Sequence, residues 1–195
     1  MKSLTFRFIF INVLLAVLAA TAIALLSHDG FLENLEMFSL DLSFRIRGAI
    51  RCNPGVTIIE ISDYDIASIG RWPWDRKWHA AVTRALTAMG AKAIYFDIVF
   101  AEPSDEAGDA LFAGAIKASG RVYLPFAFQP PSIDIEDALI PIEPLSRDVL
   151  GMGAINIFPD SDGKLRRMPL TFLAKNQLYT HAALKIAADN LGLDF

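Results

Sequence analysis

The sequence predicts an α/β protein: an N-terminal transmembrane helix, then an extracytoplasmic mixed sheet on a parallel βαβαβ core, closed by a C-terminal β-hairpin and a last helix. Three observations carry that class. No charged residue falls between Phe8 and Leu26. Between residues 56 and 128, β-branched apolar runs alternate with stretches whose apolar positions step by three and four, as in parallel strands joined by crossover helices. Beyond residue 150, Asp162-Gly163 and then Lys175-Asn176-Gln177 are turn signals where strands fold back.

The uncharged run over 8–26 would make a helix of about 28 Å, close to the thickness of the hydrocarbon core. Lys2 and Arg7 precede it, which places residues 1–7 in the cytoplasm and 31–195 outside. The expected localisation is a single-pass inner-membrane protein with most of its chain periplasmic, and the lipid bilayer is its first expected partner. Ala20-Thr21-Ala22 and Ala22-Ile23-Ala24 offer the alternative of a cleaved signal peptide, which exports the remainder equally. Much of the 53% hydrophobic content and of the mean hydropathy of +0.37 comes from this N-terminus. The single Cys52 cannot form an intrachain disulfide, so the exported part relies on its apolar core. A formal net charge of −4 and a pI of about 5.3 argue against a nucleic-acid partner.

Phe31, Leu35, Phe38, Leu42 and Ile46 form one stripe on a helix that ends near Gly48, and Pro54-Gly55 marks a turn. Residues 56–61 (VTIIEI) suit a strand covered on both faces. A helix over 77–89 follows, with Trp78, Ala81, Val82, Ala85, Leu86 and Met89 as its core face and Gly90 as its C-terminal cap. The second strand is 93–100, a helix starts at Asp105 or Asp109 and ends by Gly120, and the third strand is 122–128. Residues 129–144 read as a long loop and 154–158 as a short strand. After the Asp162-Gly163 turn, 165–173 returns as an edge strand, since Pro169 cannot donate to a ladder. Thr180 can cap a last helix whose core face is Leu184, Ala187, Ala188 and Leu191.

The candidate site residues are Asp63, Asp65, Trp72, Trp74, Arg76 and Asp97. Trp72 and Trp74 flank Pro73, so neither sits inside a helix; they either plug the core beneath the 70–76 loop or wall a binding surface. Asp97 is the only charge in AIYFDIVF, and a carboxylate in a doubly covered strand needs a partner, for which Arg71 or Arg76 is expected. A competing arrangement gathers Asp63, Asp65 and Asp97 into one acidic pocket for a cation or cationic ligand. Asp63-Tyr64-Asp65 after a strand also matches the nucleophile and acid of haloacid-dehalogenase-like phosphatases, the alternative function. The hydroxyl which that chemistry needs after the second strand is missing, since Ala101-Glu102-Pro103 stands there; capping of the turn over 66–69 is the expected role of Asp63. Asp160 and Asp162 lack the remaining ligands of a calcium loop, and His28, His79 and His181 have no metal-ligand spacing. No metal, cofactor or complete catalytic set is implied.

Several segments together resemble the second CHASE family, the extracellular sensing domains attached to cyclases and histidine kinases. They are Asp41 to Arg47, 56–61, the Gly70-Arg71-Trp72-Pro73-Trp74-Asp75-Arg76 loop, Phe96-Asp97-Ile98, Glu102-Pro103, and Asp109 opening a helix. Gly151 to Asn156 and Asp160-x-Asp-Gly-x-x-Arg-Arg ending at Arg167 continue the match, which covers nearly all of 31–191. The resemblance implies a non-catalytic sensory domain of a bacterial signal-transduction receptor, coupled to a cyclase or kinase output. Its expected partners are a small-molecule or protein signal and a second copy or an output domain.

Overall fold

A computed structural model describes residues 2–28, 30–51, 55–130 and 132–193; Cys52 and Pro54 lie outside the described residues. The chain divides into two compact units, Met1–Glu60 and Ile61–Phe195. It is mixed α/β with short sheets.

The first unit holds α1 (Lys2–His28) and α2 (Phe31–Arg47). Among the described residues no helix is long and apolar enough to cross a membrane. That overturns the expected transmembrane helix over 8–26 and the expected single-pass inner-membrane localisation. Helix α2 ends at Gly48, whose φ is 69°, and Leu35, Phe38, Leu42 and Ile46 of its stripe are exposed. Residues 56–61 are exposed and belong to no strand, contrary to expectation. A β-branched composition makes a strand only where a neighbouring edge accepts its hydrogen bonds.

The second unit begins with α3 (Asp63–Ile69) and α4 (Arg76–Ala88). It continues through β1 (Ile94–Tyr95), α5 (Glu106–Ser119), β2 (Val122–Phe126), α6 (Glu143–Ser146) and β3 (Gly151–Ala154). It closes with β4 (Thr171–Ala174), β5 (Gln177–Thr180) and α7 (Ala182–Leu191). Three parallel strands form one sheet in the order β1-β2-β3, with Tyr95 beside Tyr123 and Tyr123 beside Gly151. The parallel trio is therefore displaced along the chain: β3 takes the place expected for 56–61. The hairpin is β4-β5, turned by Lys175 and Asn176 at φ 45° and 62°, the paired positive φ of a two-residue hairpin turn. Asp160 to Gly163 does form a turn, with Gly163 N–H donating to the Asp160 carbonyl at 2.8 Å, but no paired strands flank it.

One sheet face carries Ile94, Phe96, Val122 and Leu124 against Ala80 of α4, Phe112, Ala115 and Ile116 of α5 and Leu145 of α6. A second cluster, Phe126, Phe128 and Ala154, meets Phe172 and Ala174 of the hairpin. Helix α4 buries a different stripe from the expected one. Arg76, His79, Ala80 and Thr83 are buried, while Trp78 is 42% and Met89 82% exposed. Both stripes have helical spacing, and of the expected one Leu86 does pack against the core, partly buried; α4 meets α5 where Thr87 Oγ1 and Ser119 Oγ stand 2.8 Å apart.

Helix α7 crosses β3 at its glycines. A Cβ on Gly153 would lie 2.4 Å from Ala182 Cα and 2.6 Å from its nitrogen. These are backbone atoms, so α7 itself must shift. Gly153→Ala is expected to cost about 1 to 3 kcal/mol, the range of overpacking, read as a lowered urea midpoint. A midpoint equal to the parent's would show that α7 is not seated on the strand. The cap of α7 is His181, not Thr180, and its buried residues are Ala182 and Ala188, with Ala187 and Leu191 exposed.

Candidate functional site

Gly70 ends α3 at φ 119°, its N–H donating to the Ile66 carbonyl. The chain then makes the Trp loop. Trp74 Nε1 donates back to the Gly70 carbonyl at 2.7 Å, and the Trp72 and Trp74 rings meet edge-on at 5.6 Å. The Trp72–Pro73 peptide is cis. Asp75 caps α4, accepting from Lys77 N–H at 2.8 Å, so the next side chain, Arg76, enters the interior from the helix's first turn.

Arg76 does not approach Asp97, the arrangement expected from sequence. Its Nε donates to Asp109 Oδ1 at 3.2 Å, its Nη2 donates to the Glu102 carbonyl at 3.0 Å, and its guanidinium lies 4.5 Å from the centre of the Phe100 ring. Asp109 Oδ2 also accepts from Ser104 N–H at 2.9 Å. Both side chains of the pair are only 10% exposed. Segments distant in sequence, the Trp loop, Glu102-Pro103 and Asp109, thus close into one clasp between α4 and α5.

Asp97 is exposed and accepts from Tyr95 Oη at 3.3 Å. Burial alternates along this segment, Ile94 and Phe96 in, Tyr95 and Asp97 out, so the doubly covered strand that required a buried partner does not form. Partial desolvation of its ring first, then the Asp97 charge, raises the Tyr95 phenol well above its ordinary value. On the same sheet face Tyr123 donates to Asp189 at 3.0 Å; burial and that carboxylate push its phenol up to about 12. Lys185 holds the other Asp189 oxygen at 2.6 Å. His181 Nδ1 accepts from Ala183 N–H at 3.2 Å; burial lowers its pKa and the Asp97 charge opposes the shift.

Asp63 and Asp65 open α3. Ser62 is the N-cap: Asp65 N–H donates to Ser62 Oγ, and Ser62 N–H returns a bond to Asp65 Oδ2 at 2.9 Å. The Ser62 hydrogen bonds hold the Asp65 carboxyl below its usual range. The capping role expected of Asp63 falls to Ser62, and Asp63 is exposed. Among the described residues no strand precedes the pair, so the strand-end placement of the phosphatase arrangement is not met there. Among the described residues no three His, Cys, Asp or Glu side chains are grouped to hold a metal ion. Asp160 and Asp162 grip Arg166 instead, at 2.9 Å and, through both guanidinium ends, 2.8 and 2.7 Å.

Sequence reasoning passed over His79. Its ring is 5% exposed and is boxed by Trp72, Phe96, Phe100 and Phe112 at centroid distances of 5.8, 6.0, 5.1 and 5.6 Å. Its position three residues after Arg76, on one helical stripe with Ala80 and Thr83, was the available signal.

These elements define a small α/β domain in which Arg76, at the end of the tryptophan loop, is tied to Asp109 of α5 beside a parallel sheet. The CHASE2 domain family model matches residues 15–194, and the chain belongs to that family. CHASE2 domains are sensory, non-catalytic extracellular domains of signalling receptors. No curated protein and no solved structure matches the chain.

Proposed function

We propose that this chain is the sensing module of a signalling receptor, itself without enzymatic activity, and that its state is passed to a cyclase or kinase output. The observation that carries this reading is the family match over residues 15–194. The geometry supports it further, since Arg76, Asp109, Ser62 and Asp65 are engaged in holding elements together. The Trp loop is the responsive element in this reading: Trp72 and Trp74 are half-buried at the rim of a core whose Phe100 and Phe112 are fully enclosed. A small molecule, a proton or a protein that changes the docking of this loop changes the α4–α5 pair it is clasped to. A second copy of the chain or an output domain is the proposed recipient of that change.

The test is a fusion of the full chain to a cyclase, with cyclic-nucleotide production followed across acidity, ionic strength and a panel of amines, sugars and peptides. Output should change under at least one condition, and Trp72→Ala should suppress the change in a folded fusion. Constant output under every condition would overturn the sensory reading. Hydrolysis of p-nitrophenyl phosphate by the purified chain, lost in Asp63→Asn, would establish the phosphatase in its place.

A further inference from the structure

His79 lies on the buried face of α4, and neither of its ring nitrogens has a hydrogen-bond partner. Buried polar groups are normally paired, so an orphan of this kind needs a reason. Four aromatic rings surround it. The charged groups that face it are few. Asp75, on the loop, favours the imidazolium through its carboxylate and a nearby main-chain carbonyl, without meeting hydrogen-bond geometry. Arg76, on α4, opposes it, and Asp109 of α5 is already committed to Arg76. The 96–100 segment contributes only rings here, its Asp97 being exposed and bonded to Tyr95.

The neutral ring fits this box as an aromatic body. An imidazolium would carry two N–H donors with no partner in hydrogen-bond geometry, beside a guanidinium that already occupies the Phe100 face. Attraction between a cation and ring faces is weaker than the desolvation of an unpaired ion. The walls of the box are unequal. Phe100 and Phe112 are sealed in the interior, whereas Trp72 is half-buried on a loop. The easiest exit for the ring runs past Trp72.

We propose that His79 makes the docking of the Trp loop acid-sensitive: a proton taken up by the buried imidazole expels the ring from its aromatic box, and residues 70–75 leave their seat with it. The proposal deepens the sensory reading, resting on it only for the purpose of the device, and names acidification as the stimulus class. Burial, then Arg76, holds His79 below its ordinary 6.5, so the folded state binds this proton less readily than the unfolded chain. The docked state therefore has its full stability above about pH 6.5 and loses it as pH falls below that value.

Tryptophan emission and acrylamide quenching of the full chain, followed from about pH 7.5 to 5, test it. The expected result is a reversible red shift with increased quenching below about pH 6.5, while far-UV circular dichroism stays constant. The exposed Trp78 supplies a constant background. His79→Phe should abolish the shift, and His181→Asn, which keeps a capping side chain without a titrating ring, should retain it. A flat trace, an unchanged shift in His79→Phe, loss of the shift in His181→Asn, or simultaneous loss of helix would overturn the device. Should His79→Phe fail to fold, NMR titration of the unaltered chain decides. The His79 imidazole and Trp72 indole signals must move together, and protonation without displacement of Trp72 refutes the proposal. A failed acid response leaves the sensory reading standing, because the fused cyclase tests that reading with other stimuli.

Discussion

Asp109→Ala is expected to destabilise the second unit by about 3 to 5 kcal/mol, the cost of leaving one member of a buried ion pair uncompensated. Arg76 would keep its Glu102 carbonyl contact at 3.0 Å but lose the carboxylate that neutralises it among the described residues, in a site where both side chains are 10% exposed. Ser104 N–H would lose its acceptor in the same step. Asp109→Asn retains the shape and one acceptor, so it should fall between the alanine variant and the parent. The contrast that makes the result diagnostic is Asp97→Ala. Asp97 is exposed and its hydrogen bond among the described residues comes from Tyr95 Oη, so its removal should leave the urea midpoint unchanged within error. If Asp97→Ala were costly and Asp109→Ala mild, the clasp would be wrongly assigned.

Phe112→Ala should be comparably severe, at about 3 to 5 kcal/mol for a fully buried aromatic ring. Phe112 has no exposed surface and contacts His79, Phe96 and Phe100 at ring distances of 5.6, 5.4 and 5.2 Å. Its loss opens a cavity between α5 and the sheet that rigid neighbours cannot fill. Phe112→Leu, which refills most of the volume, should recover a large part of the midpoint. A mild effect of Phe112→Ala would mean that this core collapses freely, which would also loosen the box around His79.

What was legible in the chain follows a physical division. Gly120 ends α5 in the left-handed conformation, as expected at the residue after a helix. Asp105, one of two expected starts, caps that helix through Gly108 N–H at 2.8 Å. Lys175-Asn176 turns the chain where a turn was expected. The Trp-Pro-Trp loop, Glu102-Pro103 and Asp109 were recognised as one family's pieces, and the family match bears that resemblance out. Their mutual contact was not legible, because Arg76 and Asp109 stand 33 positions apart and Asp97 was the more conspicuous charge. The apolar stripe Trp78, Val82 and Met89 drew attention away from His79 and Thr83, since a histidine and a threonine score as polar although both are buried. The run 56–61 has a strand's composition and no strand's pairing.

The sequence by itself determined the family, the two ends of α5 and the tight turn at Lys175-Asn176. Those features depend on groups within about four positions of one another, whose geometry the backbone imposes directly. Only the tertiary structure decided which face of α4 is buried, which three segments become parallel strands, and which carboxylate neutralises Arg76. Each of these is a choice between surfaces of similar local merit. It is made by which contacts exclude water and satisfy buried charge at once, and residues far apart in the chain settle it jointly.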